Sequence, residues 1–539
     1  MPPRLVRPLS RRVTRPVSLI VLATWIGVMG VLINRSYLQA SPNLATDLAR
    51  YGTAAQWRGV YYRGEKLGFT VSQTVPTADG FELQEDGQLQ MSLLGATTAA
   101  RIRTTAEVDR AFALRSFVFS LDPGTGPIKI DGRVEGRTLH LSVTSGSGTR
   151  TETRDLPEPP MLSLNLSRRL AEAGMTPGAR LQWTIFDPAT LRNAPVRVDV
   201  GHREMVRAGN VSIPAFRVEM EYSGLHTTSW VTDTGEVVRE ESPMGLISVR
   251  EPAERARAMA VPSQMRVDLL AAAAVVPQMK QRIDDPRDVR RIRLRLDGAD
   301  LSSPDLNGVS QTIDGNVVEL RDPQQITPGA LDGDLARYLA PEPFIESDAP
   351  EIVAEAQLAV RQMSGARARA EALTRRVNAM LEKKPTISLP SAREVLRTKI
   401  GDCNEHTALY VAMARAVGIP ARINVGLALV RGAFYYHAWP EVYITDGKTG
   451  YWLPVDPTFN QFPADATHLR LARGGLDKQA AIIPLIGRLK ITVLDLELAP
   501  GSTPILVGRD TAAAISNLTR PPARPARWCL PCFMFGGGK

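Results

Sequence analysis

From Trp57 to about Val249 the chain alternates apolar and polar residues or carries short β-rich runs. Gly59-Val60-Tyr61-Tyr62, Ser116-Phe117-Val118-Phe119, Leu139-His140-Leu141-Ser142-Val143 and Phe216-Arg217-Val218-Glu219-Met220 are examples, and Gly, Asp, Asn and Pro punctuate them closely. Period two between frequent turn residues predicts an antiparallel meander or sandwich. One helix is expected inside it, from Leu164 to Ala173. Beyond it the pattern changes repeatedly. Glu254 to Gln278 is Ala-rich and helical in spacing. Arg290–Leu296 and Asn316–Arg321 read as strands, with turns at Asp297-Gly298 and Asp314-Gly315. Glu351 to about Lys383 reads as one long helix. A shorter helix follows Cys403, with Leu409, Ala412, Met413 and Ala416 at helical spacing and Gly418 and Pro420 as its stop. Phe434–Ile444 and Tyr451–Asp456 read as strands.

The N-terminus has a different pattern. Val17 to Ile33 is seventeen residues without a charge, preceded by Arg4, Arg7, Arg11, Arg12 and Arg15. That length just spans a bilayer, and the arginines orient the rest of the chain away from the cytoplasm. An uncleaved signal-anchor over 17–34 is the expectation. A signal peptide cut after Ala40 and a twin-arginine signal at Ser10-Arg11-Arg12 are the alternatives, and all three export the body. The expected location is a single pass through the inner or cytoplasmic membrane, with the body periplasmic or extracytoplasmic.

These patterns divide the chain into a basic cytoplasmic segment (1–16), the anchor (17–34), an antiparallel β domain for binding or spacing (45–255), and a small β lead-in (256–345). A catalytic α+β domain (346–500) and a partly disordered tail (501–539) complete it. The net charge of +9 is carried by the five N-terminal arginines together with Arg520, Arg524, Arg527 and Lys539. The body is therefore balanced, and no nucleic-acid partner is expected. Three cysteines make no disulfide framework. Cys529 and Cys532 form a lone CxxC in the Pro/Arg-rich tail, which cannot complete a zinc site. No metal or other cofactor is expected.

Cys403 lies in Gly401-Asp402-Cys403-Asn404-Glu405-His406-Thr407. Asp402 and Glu405 have capping-box spacing, so Cys403 falls in the first helical turn, where amides and dipole favour a thiolate. His437 stands in Tyr435-Tyr436-His437-Ala438-Trp439-Pro440-Glu441-Val442-Tyr443. Alternation puts His437, Trp439, Glu441 and Tyr443 on one strand face, with His437 available as a base. Asp456 closes Tyr451-Trp452-Leu453-Pro454-Val455-Asp456, placed to orient His437. Trp439 is a candidate for the substrate pocket or for packing. His406 is a rival base that could equally face solvent. His468 reads as structural, and His140, His202 and His226 belong to the β region. The Cys403 amide is one oxyanion donor; the residues suggest no second.

Together these segments resemble the transglutaminase-like superfamily over roughly 350–475. The Gly-Ile-Pro-Ala-Arg run at 418–422 and the Asp-Pro-Thr at 456–458 belong to the same resemblance. It implies a papain-like fold, with a Cys-bearing helix on an antiparallel sheet, and a Cys403–His437–Asp456 triad. The implied reaction is acyl transfer on protein or peptide amides through a thioester. Water as acceptor makes a peptidase or amidase, the favoured outcome; an amine makes a cross-linking transglutaminase. The readings from other classes are a non-catalytic cell-envelope binding protein that works through its β domain, and a scaffold using the tail cysteines.

Overall fold

The computed structural model describes residues 55–506, apart from 94–95, 157–159, 190, 210, 223–224, 243–244, 260–273, 302–303, 386–387, 475–481, 483–484, 486–487 and 503–504. The anchor at 17–34 and the cysteines at 529 and 532 lie outside the described residues. Among those described, no helix is long and apolar enough to cross a membrane.

Fourteen strands between Gln56 and Arg250 form one antiparallel sheet among the described residues. The first eight pair in succession, the last six pair in succession, and Gln56–Tyr62 joins the halves by pairing with Leu246–Arg250. Alternation drives the burial. In Ile128–Glu135, Ile128 and Ile130 are buried while Lys129 and Arg133 are exposed. The edge strand Gly148–Asp155 carries Arg150, Glu152, Arg154 and Asp155, charges that discourage pairing with another chain. Helix α1 (Ser163–Glu172) bridges the two edge strands in sequence and buries Asn165, Leu166 and Leu170. Asn165 fixes its start by accepting from the Leu162 amide at 2.9 Å and donating to the Phe112 carbonyl at 2.7 Å.

The C-terminal half contains two four-stranded antiparallel sheets. Strands β1 (Val289–Asp297), β2 (Gln311–Asp314) and β3 (Val317–Arg321) form one with the late strand Lys490–Leu498. The other is built from β4 (Ala421–Val430), β5 (Ala433–Thr445), β6 (Gly450–Pro454) and β7 (His468–Arg473), in the order β6-β5-β4-β7. Ile292, Leu294, Val318, Val425, Leu427 and Leu469 lie in one core. The lead-in expected at 256–345 is therefore not a separate body. Its strand β1 pairs with a partner about two hundred residues on, which no local pattern announces.

The single long helix expected at 351–383 is two helices, α2 (Pro350–Val360) and α3 (Ala366–Met380). Gly365 separates them with φ +79°, a conformation that a non-glycine residue seldom takes. Most of the helix expected at 254–278 falls outside the described residues. The described part is a short helix, Ala253–Arg257, with extended pairing at Val275 and Gln278. Helices α2, α3 and α4 (Ala392–Thr398) surround α5 (Cys403–Ala416). Eleven of the fourteen α5 residues are buried, which makes it a central helix with no wet face.

Candidate active site

Helix α5 begins as its sequence requires. The Asp402 carboxylate accepts from the Asn404 amide at 2.9 Å, and Glu405 accepts from the Asp402 amide at 2.8 Å. Cys403 is the first residue of the helix, partly buried. The Ala438 amide of β5 acts on its sulfur in the direction that favours the thiolate. The expected thiolate is opposed by the surroundings. Burial first, then the charges of Asp402, Glu405 and Asp456, push the thiol well above its ordinary range, and the Ala438 amide only partly offsets them. The helix end does not outweigh desolvation plus three carboxylates.

His437 is buried on β5 and meets Asp456 at 2.8 Å, Nε2 to Oδ2. With Nε2–H donating to the carboxylate, Nδ1 carries the lone pair. The imidazole stacks on Phe459 (4.6 Å between centroids, 9° between planes) and more loosely on Trp439 (5.9 Å, 15°). Trp439 is buried and also meets His468 edge-on at 5.1 Å. It packs against both histidines and, with His468 and Arg470, also lines a small cavity.

Asp456 is fully buried. Its Oδ1 accepts from the amides of Thr458 (2.7 Å) and Phe459 (3.0 Å), and its Oδ2 from His437 and from His468 at 3.1 Å. Burial opposes its charge, but the charges and hydrogen bonds of the two histidines outweigh burial and hold the carboxylate well below its usual range. His468 is thus a member of the site that the motif did not announce. It begins β7, and its Nδ1 lies 3.2 Å from Asp465 Oδ1 and 3.1 Å from the Asp465 carbonyl. Although burial opposes the charge, Asp465 and Asp456 raise its pKa to about 10, so it is an imidazolium at neutral pH. Asp465 is held in turn by Thr467 Oγ1 at 2.6 Å and Gln461 Nε2 at 2.7 Å. A second histidine twelve residues after the motif aspartate, with Asp465 between them, was the available signal.

His406 does not face solvent. It is fully buried, with Nδ1 2.7 Å from the Asp402 carbonyl. Burial lowers its pKa to about 4, so it stays neutral. His437, Asp456 and His468 also present one ligand atom each within 4.8 Å, the set among the described residues that could hold a metal ion. The same three atoms form the hydrogen bonds of the site, both histidines meeting Asp456 Oδ2.

Next to the site, Glu441 is buried among Arg422 (2.7 Å), Arg473 (3.5 Å) and Arg470 (4.0 Å), and Arg422 lies over the Trp452 ring at 3.7 Å. A cavity of about 160 Å³ opens between Asn404 and Thr407 of α5, Ala438 of β5, Arg422 and Arg473, and Arg192 of the large sheet reaches its wall.

Cys403 at the start of α5 lies within electrostatic reach of Asp456, the carboxylate that pairs with His437 of β5. Residues 355–457 match the family model described as the transglutaminase-like superfamily, so the chain contains a transglutaminase-like domain. No curated protein matches the chain. Among solved structures, a β-barrel-like protein of domain family DUF1849 from Brucella abortus is 14% identical, with TM-score 0.29, covering 37% of this chain and 96% of its own. A protein from Cytophaga hutchinsonii described as a candidate cysteine protease is 18% identical, with TM-score 0.26, covering 40% of this chain and 92% of its own. Superpositions that loose carry neither fold nor chemistry across.

Proposed function

We propose that this protein is a cysteine acyl-transfer enzyme acting on protein or peptide amides through a thioester on Cys403. One observation carries the reading: His437, paired with the buried Asp456 at 2.8 Å, stands on β5 next to Ala438, whose amide favours the thiolate of Cys403. His437 Nδ1 accepts the thiol proton as sulfur adds to the amide carbon. Collapse of the tetrahedral intermediate breaks the C–N bond, and the imidazolium gives its proton to the departing amine. Asp456 fixes the tautomer and bears the imidazolium charge. Water, activated by His437, then hydrolyses the thioester to an acid and free thiol. An amine in its place would form a new amide. Hydrolysis is the favoured outcome, water being the default acceptor.

The surroundings of Cys403 favour a resting thiol, so the proton moves during attack rather than before it. The apolar run at 17–33 behind five arginines supports anchoring in the membrane with the body outside the cytoplasm, which makes cell-envelope proteins or peptides the substrate class. The test is to trap the thioester. Wild type incubated with a peptide-amide library should gain an acyl mass on the Cys403 peptide that hydroxylamine removes, and Cys403→Ala should gain none. New peptide termini would then mark hydrolysis and added amine would mark cross-linking. Absence of any acyl mass from the wild type counts against the reading.

The raised thiol pKa favours a second reading, a binding protein with an inert cysteine. Its mark would be a Cys403 whose reactivity ignores His437.

A further inference from the structure

The hydroxyl of Tyr436 is buried and has no hydrogen-bond partner. Leaving a buried hydroxyl unsatisfied is unfavourable, so this atom calls for an account. Its position supplies one. Alternation along β5 puts Tyr436 and Ala438 on the face opposite His437 and Trp439. The first turn of α5 meets the backbone of β5 beside both residues: the Ala438 carbonyl accepts from Thr407 Oγ1 at 3.1 Å, and the Ala438 amide acts on the Cys403 sulfur. Cys403 and Tyr436 pack against the same apolar cluster. In register, Tyr436 pairs with Leu427 and His437 with Gly426, so hydroxyl and imidazole hang from adjacent residues of one rigid strand.

We propose that the Tyr436 hydroxyl is an oxyanion donor, giving its hydrogen bond to the substrate carbonyl oxygen as that oxygen turns negative under attack by Cys403. The proposal rests on the acyl-transfer reading. It gives the orphaned hydroxyl a partner that exists only during reaction, the condition under which a hydrogen bond lowers a barrier rather than merely binding. The Cys403 amide, ahead of the amide that Asp402 caps, is the companion donor. Tyr436 acts here as a donor and not a base. Burial, then the negative charges possible at Cys403 and Asp402, push its pKa well above the ordinary phenol range, so the proton stays on oxygen.

Two reagents separate this role from nucleophile activation. Acetylation of a thiol by p-nitrophenyl acetate passes through a tetrahedral oxyanion; alkylation by iodoacetamide does not. Both rates would be read on the Cys403 peptide by mass spectrometry, in the full chain, for wild type, Tyr436→Phe and His437→Ala. Glutathione serves as the reference thiol. The acetylation-to-alkylation ratio should stand above that of glutathione in wild type and fall roughly a hundredfold in Tyr436→Phe. Phe keeps the ring and removes an atom that bonds nothing, so a merely structural hydroxyl would leave the ratio unmoved. An unchanged ratio in Tyr436→Phe, or a wild-type ratio equal to that of glutathione, overturns the proposal. Alkylation as fast in His437→Ala as in wild type overturns the reading beneath it, and the proposal with it. That failure shows in an absolute rate, not in the ratio.

Discussion

His468 illustrates what single residues contribute beyond the motif. It shares Oδ2 of Asp456 with His437, so one carboxylate oxygen serves both imidazoles, and His468 is charged at neutral pH. His468→Gln removes one of the two partners that hold Asp456 Oδ2 and should slow His437-dependent alkylation, read on the Cys403 peptide. Stability responds as well. The folded pKa is raised from 6.5 to about 10, so the stabilisation is complete below about pH 6.5 and is lost as pH rises through about 10. At pH 7 His468→Gln should cost roughly 3 kcal/mol or more, read by denaturant unfolding, with the gap from wild type closing above pH 10. An equal gap at pH 7 and pH 11 would contradict the charged state. The place of Cys403 at a helix start and the pairing of His437 with Asp456 were legible because each sits in a short motif with its own local geometry. His468 was not, because its meaning lies in two carboxylates that the fold brings to it. His406 was misjudged for a related reason. The apolar positions of α5 suggested one covered face, whereas the helix is buried all round.

At the scale of elements, the site depends on β7 lying hard against β4. Gly426 faces His437 across β4 and β5, and a Cβ there would stand 2.0 Å from the Leu469 carbonyl oxygen. Gly426→Ala must therefore push β7 away, carrying His468 with it. We expect a loss of about 2 kcal/mol or more in urea unfolding, together with a lower His437-dependent alkylation rate. Wild-type stability in this variant would mean that the strands are less closely set than described. Element types were largely readable from period and punctuation, as in α1, α5 and β5. Their partners were not: the pairing of Val289–Asp297 with Lys490–Leu498 joins distant segments, and the Ser364-Gly365 break between α2 and α3 lies inside a stretch otherwise rich in Ala, Glu and Arg.

Across the whole molecule, the large sheet and the catalytic half are packed together. Phe344 and Leu389, from the C-terminal half, are buried in the core of the large sheet. Arg393 donates to the Ser147 carbonyl at 2.5 Å, Arg397 to the Thr125 carbonyl at 3.3 Å, and Arg150 pairs with Asp348 at 2.9 Å. The helix after Leu389 leads directly to Asp402 and Cys403, so the β domain braces the segment that delivers the nucleophile. Phe344→Ala should cost roughly 3–5 kcal/mol and slow His437-dependent alkylation, both read on the same purified protein. A stability loss with unaltered alkylation would show that the brace does not reach the site. The sequence predicted a β domain and a catalytic domain, but the contact between them rests on two apolar residues in loop-like stretches that carry no period.

The most direct test of the account is the pH profile of iodoacetamide labelling at Cys403, compared between wild type and His437→Ala. With a base in place, the wild-type cysteine should label at neutral pH at least about tenfold faster than His437→Ala. In the variant, burial and the charges of Asp402, Glu405 and Asp456 should keep the thiol protonated, so labelling should rise only above the ordinary thiol range. Two superimposed profiles, both rising only at high pH, would mean that His437 does nothing for the sulfur, and Cys403 would then be the inert cysteine of a binding protein.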